Sequence, residues 1–491
     1  MGRDITAPFL LSILPDIDSS FDTNNNQAST QADLEIKKIL RLLPGKRLVA
    51  VGQWEGKSVI AKLFFQAGHW KRHIRRERNG IELISQAELP TPQALLCSTM
   101  ADNHGGVMIN QYLEGGQGVG DLLAESEFQN QHLTQEVLDL VIKCYAKGLW
   151  QNDIHLNNFL LYNEKVYLLD GADIRTETVA NSVSEKTRLK NLALFFAQFP
   201  VKHDQQLERL MSCVSYHGAE YMKIQSMPEL AGRVKKARDG RIDAYNKKLT
   251  RSSTAHYAHQ SASSFMVCDR EILSDDFSNF VNNPDLYIER GKMVKAGNTS
   301  TVAIVEIGQK HYMLKRYNIK NIVHGLKRFI GQLFGHSRAL NSWRFALILP
   351  LLGINTAKPF MMLEKRVFRC IPRESYILCE IIDGHAVSTL IEDENLGSSE
   401  KSAVISAFRD YFGVMRDTRI SHGDLKATNF IYSNEKLYVL DLDAMKRHKG
   451  EVSFKKSFRK DLERFTKNWA GRLEFESITK QALRVTRAFI D

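Results

Sequence analysis

Alternation of apolar and polar residues marks two hairpins far apart in the chain. In KRLVAVGQWEGKSVIAKLFF (46–65) it predicts two strands around a WEGK turn. In ERGKMVKAGNTSTVAIVEIGQKHYMLKRYN (289–318) it predicts strands with turns at AGNTS and IGQK. Each hairpin ends in an apolar strand interrupted by one lysine, Lys62 in SVIAKLF and Lys315 in HYMLKRY. The spacing then turns helical in the basic segments HWKRHIRRERNGIELI (69–84) and KNIVHGLKRFIGQLFGHSRALNSWRFALIL (320–349). Apolar strands ending in an acidic residue and glycine follow, GVMINQYLEGG (106–116) and SYILCEIIDGH (375–385). Ahead of the first hairpin, LEIKKILRLL (34–43) reads as a helix. The polar stretch FDTNNNQASTQAD (21–33) lacks periodicity, and residues 1–33 are expected to form a flexible N-terminal segment.

The order of elements repeats because the sequence does. Residues 150–174 read WQNDIHLNNFLLYNEKVYLLDGADI, and residues 421–445 read SHGDLKATNFIYSNEKLYVLDLDAM. Asp153 aligns with Asp424, Asn158 with Asn429, and Asp170 with Asp441. A repeat this widely separated implies two domains of one fold, not a solenoid of short contiguous units. The spacing suits phosphoryl transfer. A loop carboxylate positions and deprotonates an acceptor hydroxyl, while an amide on the same loop and a carboxylate ending the next strand hold a metal on the phosphates. A lysine on the preceding hairpin is where such a site contacts nucleotide phosphates. The helix after it supplies a glutamate to that lysine, and Glu77 is the best placed, with Glu82 second. Aligning ELPTPQ (88–93) with GINTAK (353–358) sets Ser342 opposite Glu77. In the second half, therefore, either another group pairs Lys315 or that site is less well organised. Neither hairpin carries a full GxGxxG: AVGQWEGK has two spaced glycines and KAGNTS one.

Further on, EKTRLKNLALFFAQFP (185–200) and FKKSFRKDLERFTKNW (454–469) also match, with Asn191 aligned to Asp461. Asp461 either braces the catalytic loop from below or faces solvent. The segment 233–264 begins as a basic helix and loses periodicity near Ser252, which sets domains at 34–255 and 256–491.

Composition narrows the class. The 491 residues accommodate two domains of ordinary size, and 43% hydrophobic with 25% charged residues is usual for a globular chain. No apolar run approaches the ~20 residues of a membrane span. The short apolar run near the N terminus has Asp4 ahead of it, Pro15 and Asp16 behind it and no basic flank, so a signal peptide is not expected. Six scattered cysteines without a CxxC pattern suggest a reducing compartment and no structural zinc. A net charge of +11 favours anionic partners, yet no recognised nucleic-acid motif is present, and nucleic acid is not expected as a partner.

The motifs HGDLKATNF, YVLDLDAM, LKRYN, SRALNSWRFALILPLLGI and RKDLERFTKNW, with QNDIHLNNFLL and YLLDGADI in the first half, resemble the lipopolysaccharide core kinase family, related to heptose and Kdo kinases. The resemblance covers most of the chain, twice, as in a tandem member. It implies an α+β fold of two protein-kinase-like domains, each with a small β-rich N-lobe and a mainly helical C-lobe. It also implies ATP and Mg2+ as cofactors, and phosphorylation of a sugar hydroxyl on the inner core at the cytoplasmic face of the inner membrane. Carried over position by position, Asp153 and Asp424 are the bases, and Asn158, Asp170, Asn429 and Asp441 bind the metal. Lys62 and Lys315 hold phosphates, Glu77 supports Lys62, and Lys426 lies near the transferred phosphoryl group. His155 takes that last place in the first half, as a weaker substitute, a substrate contact or a loop histidine with no chemistry.

The halves depart from the pattern differently. Gln151 stands opposite His422, and Gly171-Ala172 opposite Leu442-Asp443, where Asp443 is an extra metal or loop contact. Arg72, Arg75, Arg76 and Arg78, and Lys320, Lys327 and Arg328, lie on equivalent elements. With Phe329 and Phe334 interleaved, they either rest peripherally on an anionic membrane surface or form a solvated helix face. Alternatives within the fold are a small-molecule phosphotransferase, a protein kinase, or a glycolipid-binding scaffold with one inactive half. The lack of an APE-like segment after either metal Asp argues against a regulated protein kinase.

Overall fold

The computed structural model describes residues 3–13, 32–100, 102–177, 182–204, 206–210, 227–318, 337–367, 371–390 and 397–469. The chain forms two compact units. The first is Met1–Phe199 with Gln205–Arg238, and the second is Pro200–Asp204 with Asp239–Asp491. The division falls inside the helix Met227–Lys248, upstream of the boundary expected at 255/256.

In the first unit six antiparallel strands run in the order Arg3–Ile13, Ala32–Leu43, Arg47–Trp54, Lys57–Phe64, Gly106–Gln111, Ala94–Thr99. In the second, seven strands run His256–Gln260, Ser264–Asp269, Pro359–Val367, Ile371–Cys379, Lys310–Tyr317, Ser300–Ile307, Lys292–Ala296. Five strands are common to both, in one order. The first unit adds a strand at one edge, and the second adds a hairpin at the other. Strand alternation explains where the lysines go. Val59, Ala61 and Leu63 are buried on one face of their strand, which sends Lys62 to the opposite face. Tyr312 and Leu314 do the same for Lys315.

Below each sheet lies a helical lobe with its own core. Leu138, Val141, Phe159, Leu192, Phe195 and Phe196 are buried in the first. An aromatic cluster fills the second, with Phe408 packed edge-to-face on Phe430 (4.9 Å) and Phe465 (5.1 Å). Each lobe carries a short β-hairpin just after the catalytic loop, Phe159–Tyr162 with Lys165–Leu168 and Phe430–Ser433 with Lys436–Val439. Both hairpins turn through Asn-Glu with positive φ at both residues, 46° and 58° in one and 48° and 60° in the other.

Two expectations need correction. The segment expected as a helix, 34–43, is strand Ala32–Leu43. Its register shifts twice, between Ile36 and Lys38 and between Ile39 and Arg41, so two bulges break the alternation and imitate helical spacing. The N-terminal region expected to be flexible contributes the strand Arg3–Ile13, paired to it; residues 14–31 lie outside the described residues. The WEGK turn is the counterpart of IGQK, because each precedes the lysine strand. The counterpart of AGNTS is the Leu43–Arg47 turn.

The helix Trp70–Gln86 packs very closely on the loop that follows Asp170. A Cβ placed on Gly80 would lie 1.8 Å from the Gly171 carbonyl oxygen, and one on Gly171 would lie 2.4 Å from the Glu77 carbonyl oxygen. Only backbone without side chains fits there. Gly80→Ala is expected to destabilise the first unit by about 1–3 kcal/mol through overpacking. Gly232→Ala has open space around it and is expected to be neutral or stabilising. Thermal unfolding of the full chain checks this; equal midpoints for the two variants would disprove the close contact.

Candidate active site

The duplicated loops share one local structure. A short strand, Leu149–Gln151 or Ile420–Ser421, leads into the loop, and a single 3-10 turn, Leu156–Asn158 or Ala427–Asn429, ends it. The Asn side chain donates from Nδ2 to the main-chain oxygen of the Asp five positions earlier, Asn158 to Asp153 at 3.2 Å and Asn429 to Asp424 at 2.9 Å. That bond occupies the amide nitrogen and leaves Oδ1 for a cation. The residue before the metal Asp is tied to the same Asn: Leu169 N donates to Asn158 O (2.9 Å) and Leu440 N to Asn429 O (2.8 Å). Thr91 and Thr356 lock the following strands from the other side, donating to Leu168 O (2.9 Å) and Val439 O (2.7 Å). The structure thus brings Asn and the second Asp onto one edge in both units.

The lysines behave differently. In the first unit Lys62 bonds Glu77, which is fully buried, and donates to Leu169 O at 3.0 Å. Burial drives the Glu77 pKa up against the pull of Lys62, and the nearby Asp170 adds to the rise. Burial also works to raise Asp170, but Lys62, Glu77 and the Ala172 amide outweigh it and hold that carboxyl below its usual range. In the second unit Ser342 stands where Glu77 does. Its hydroxyl bonds the Tyr317 hydroxyl at 2.8 Å, and Lys315 pairs directly with Asp441. The Tyr317 ring lies 4.8 Å from the Lys315 ammonium. Burial opposes the Lys315 charge, and Tyr317, Asp441 and Asp443 more than restore it, so its pKa rises. Asp441 itself takes a left-handed backbone, φ 59°.

Helix and metal loop are joined by equivalent residues. Arg76 donates to Ala172 O (2.9 Å) and pairs with Asp173 (3.2 Å). At the position of Arg76, Asn341 donates to Asp443 O (3.0 Å) and Met445 O (2.9 Å). Asp443, the extra acid of the second half, is held by Arg338.

Each catalytic loop rests on a buried polar group of the next helix. Asp461 is buried and accepts from His422 N (2.6 Å) and Gly423 N (2.9 Å), which decides between its two readings in favour of the brace. Asn191 instead donates to Gln151 O (2.7 Å) and accepts from the Tyr145 hydroxyl (2.8 Å). His422 is wholly buried; Asp424 N donates to its Nδ1 (3.3 Å), and its Nε2 donates to Leu440 O (3.1 Å). Gln151, at the position of His422, donates instead to Asp170 O (3.3 Å), one residue further on.

The two bases differ in company. Lys426 and Arg464 converge on Asp424, at 2.8 and 3.0 Å, and Arg464 also donates to Gly423 O (2.8 Å). Sequence reading missed Arg464; its signal is the position one turn after Asp461 on the same helix face. Leu194 stands at the equivalent place in the first unit, and Asp153 is exposed. His155 accepts from Asn157 N at 3.3 Å and so also serves its own loop. Of the basic residues flagged for a membrane, Arg76 and Arg78 are engaged with Asp173 and Glu82, while Arg72 and Arg75 are exposed. Lys320, Lys327, Arg328, Phe329 and Phe334 lie outside the described residues. No described helix is long and apolar enough to cross a membrane.

In the second unit a cavity of about 380 Å³ is lined by Lys315, Asn429 and Asp441 together with the apolar Val302, Met313, Ile377 and Leu440. Cys379 and Glu380, at the end of strand Ile371–Cys379, line it as well. Among the described residues no group of three or more His, Cys, Asp or Glu could hold a metal alone. One Asp and one Asn oxygen per unit is instead the donor set that Mg2+ takes when phosphate oxygens complete its shell.

Burial holds the His422 pKa below 6.5. A depressed imidazole contributes stability above its unfolded pKa and loses it as pH falls. The second unit should therefore weaken as pH falls below 6.5. His422→Gln, which copies Gln151, should flatten that fall. An unchanged pH profile of the thermal midpoint in the variant would contradict the burial argument.

No curated protein matches the chain in sequence. Among solved structures it is similar to WaaP in complex with acyl carrier protein, at 16% identity and a TM-score of 0.30, over 41% of this chain and 87% of that one. It is similar to WbdD at 15% identity and a TM-score of 0.30, over 42% of this chain and 51% of that one. It is similar to the PknI kinase domain of M. tuberculosis at 15% identity and a TM-score of 0.25, over 33% and 69%. The sequence profile of the lipopolysaccharide kinase (Kdo/WaaP) family matches residues 285–488, a span that contains Lys315, Asp424, Asn429 and Asp441. Over residues 285–488 the chain is similar to the lipopolysaccharide kinase (Kdo/WaaP) family, and it is a kinase.

Proposed function

We propose that the protein is an ATP-dependent sugar kinase that phosphorylates a hydroxyl of heptose or Kdo in the lipopolysaccharide inner core. The observation that carries this reading is the repeated placement of base, amide and metal carboxylate. In each unit the Asn amide is turned by the backbone of the base residue, and the metal Asp is tied back to that Asn. The likeness of residues 285–488 to the lipopolysaccharide kinase (Kdo/WaaP) family supports the substrate class.

In this reading Asp153 and Asp424 accept the proton of the sugar hydroxyl. Asn158 with Asp170, and Asn429 with Asp441, hold Mg2+, which neutralises charge on the phosphates when bound. Lys62 and Lys315 orient the phosphates, and Glu77 keeps Lys62 extended. Lys426 steadies Asp424 and lies on the path of the transferred phosphoryl group. His155 serves as a loop contact in the first unit. Arg72 and Arg75 are free to face an anionic membrane surface, where each contributes about 1 kcal/mol. The domains are the two units, with the acceptor entering over the exposed side of each base.

Transfer of radiolabelled phosphate from ATP to purified core oligosaccharide tests the reading in the wild type, Asp153→Asn, Asp424→Asn and the double variant. The double variant is expected to lose about 10²–10⁴-fold in rate. Label lost only with Asp424→Asn makes the second unit the enzyme. Full activity of the double variant would refute both base assignments.

A further inference from the structure

The second unit contains another cavity, of about 620 Å³, that shares no lining residue with the nucleotide cavity. It lies among the helix Arg338–Ile348, the segment Met445–Lys449, Arg419 just ahead of the catalytic loop, and the Asp239–Asn246 stretch of the helix Met227–Lys248. Five of its lining residues are basic, Arg344, Arg419, Lys446, Arg447 and Lys449, and two are acidic, Asp239 and Asp243.

The acids are already used. Asp239 pairs with Arg419 (3.0 Å) and Arg447 (2.6 Å), and Asp243 pairs with Arg447 (2.6 Å). Two carboxylates thus offset two guanidiniums, and Arg344, Lys446 and Lys449 remain as excess positive charge. Arg344 is the least satisfied of these. Its Nε and Nη1 are out of contact with solvent and bond nothing among the described residues. Glu364 attracts it but spends its oxygens on Ser337 and Arg366. Arg419 Nε and Asn246 Oδ1 are likewise buried and unbonded. Three N–H donors and one acceptor without partners on the walls of one cavity are costly unless something meets them.

We propose that this cavity is a second anion site, which takes a phosphate monoester between Arg344 and Arg419, with Lys446 and Lys449 at its mouth. A guanidinium pair is the side-chain chemistry that matches phosphate oxygens in a forked geometry. The volume exceeds what a bare phosphate fills and lies in the range of small-ligand pockets. Ile242, Phe345, Ile348 and Met445 provide apolar wall for the group that carries the phosphate. The site touches the machinery on two sides. Arg344 shares a helix with Arg338 and Asn341, which bond Asp443 and Met445 after the metal Asp, and Arg419 leads into the catalytic loop.

Thermal unfolding of the full chain tests the site, with Mg2+ and a non-hydrolysable ATP analogue saturating so that nucleotide sites are filled. Inorganic phosphate and glucose 6-phosphate are titrated separately, with chloride holding ionic strength constant. A saturable rise in the midpoint is expected, and Arg344→Gln should weaken the apparent affinity about 10–100-fold, as loss of a charged hydrogen bond does. Arg344→Lys should recover part of it. Lys449→Gln, at an exposed position, should weaken binding while leaving the unliganded midpoint unchanged, so a folding defect in the Arg344 variant does not hide the result. Response to inorganic phosphate alone identifies the phosphate group as sufficient, and response only to the hexose phosphate adds its carrier. Absence of a saturable shift with both ligands, or titrations unchanged in both Arg344→Gln and Lys449→Gln, would overturn the site.

Discussion

A lysine ammonium on an inner strand, largely withdrawn from water, must meet a carboxylate, and the carboxylate it meets sets the geometry of each cleft. Lys62 and Lys315 occupy the same place in the same five-stranded arrangement. The first finds Glu77, delivered by a helix that approaches the metal loop closely enough for Gly80 to touch Gly171. The second faces Ser342, whose hydroxyl is committed to Tyr317, and turns to Asp441. Where the glycine contact is missing, Phe345 and Leu442 occupy those positions, and Arg338 and Asn341 fasten helix to loop instead. The residues at these helix and loop positions together change how the helix is held to the loop after Asp170 or Asp441.

The brace beneath each catalytic loop follows the same logic of supply and demand. Gly423 has φ 81°, and a Cβ there would lie 2.5 Å from Ala444 O; this turn aims its amide, with that of His422, at a carboxylate. Asp461 answers both. In the first unit Asn152 N is already bonded to Asp173 O (2.8 Å), so a carboxylate below would find too few donors. The group needed there is one that donates to the free Gln151 carbonyl, and Asn191 does so. Swapping carboxylate for amide is thus matched to the loop above it, and both loops end with Asn and Asp equally placed.

Most of this was legible in the chain because the groups that carry charge sit at short, repeated spacings. The Asp–Asn–Asp sets, the strand lysines and Glu77 are each fixed by neighbours a few residues away or by alternation on one strand. Errors came where backbone irregularity or distance intervenes. Two bulges in Ala32–Leu43 place apolar residues at helical intervals. The partner of Lys315 lies 126 residues away, and Arg464 reaches Asp424 across 40, separations over which periodicity carries no information.

The difference in lysine partners has a consequence for the order of events in each cleft. In the proposed reading a cation at Asp170 would meet a carboxylate that Lys62 and Glu77 already influence, while Lys62 itself is bonded to Glu77 and to Leu169 O. A cation arriving at Asp441 competes with Lys315 for the same oxygen. The rearrangement that frees it draws on the free energy of binding, as any departure from a preorganised site does. Lys315 is not lost in that exchange, because the Tyr317 ring still faces its ammonium and the phosphates that accompany the metal offer it a new counter-charge. In the proposed reading Lys315, paired with Asp441 here, would turn to the phosphates if Asp441 took a cation. In the first unit Lys62 bonds Glu77 instead, and two clefts built from one repeated motif start from different lysine pairings.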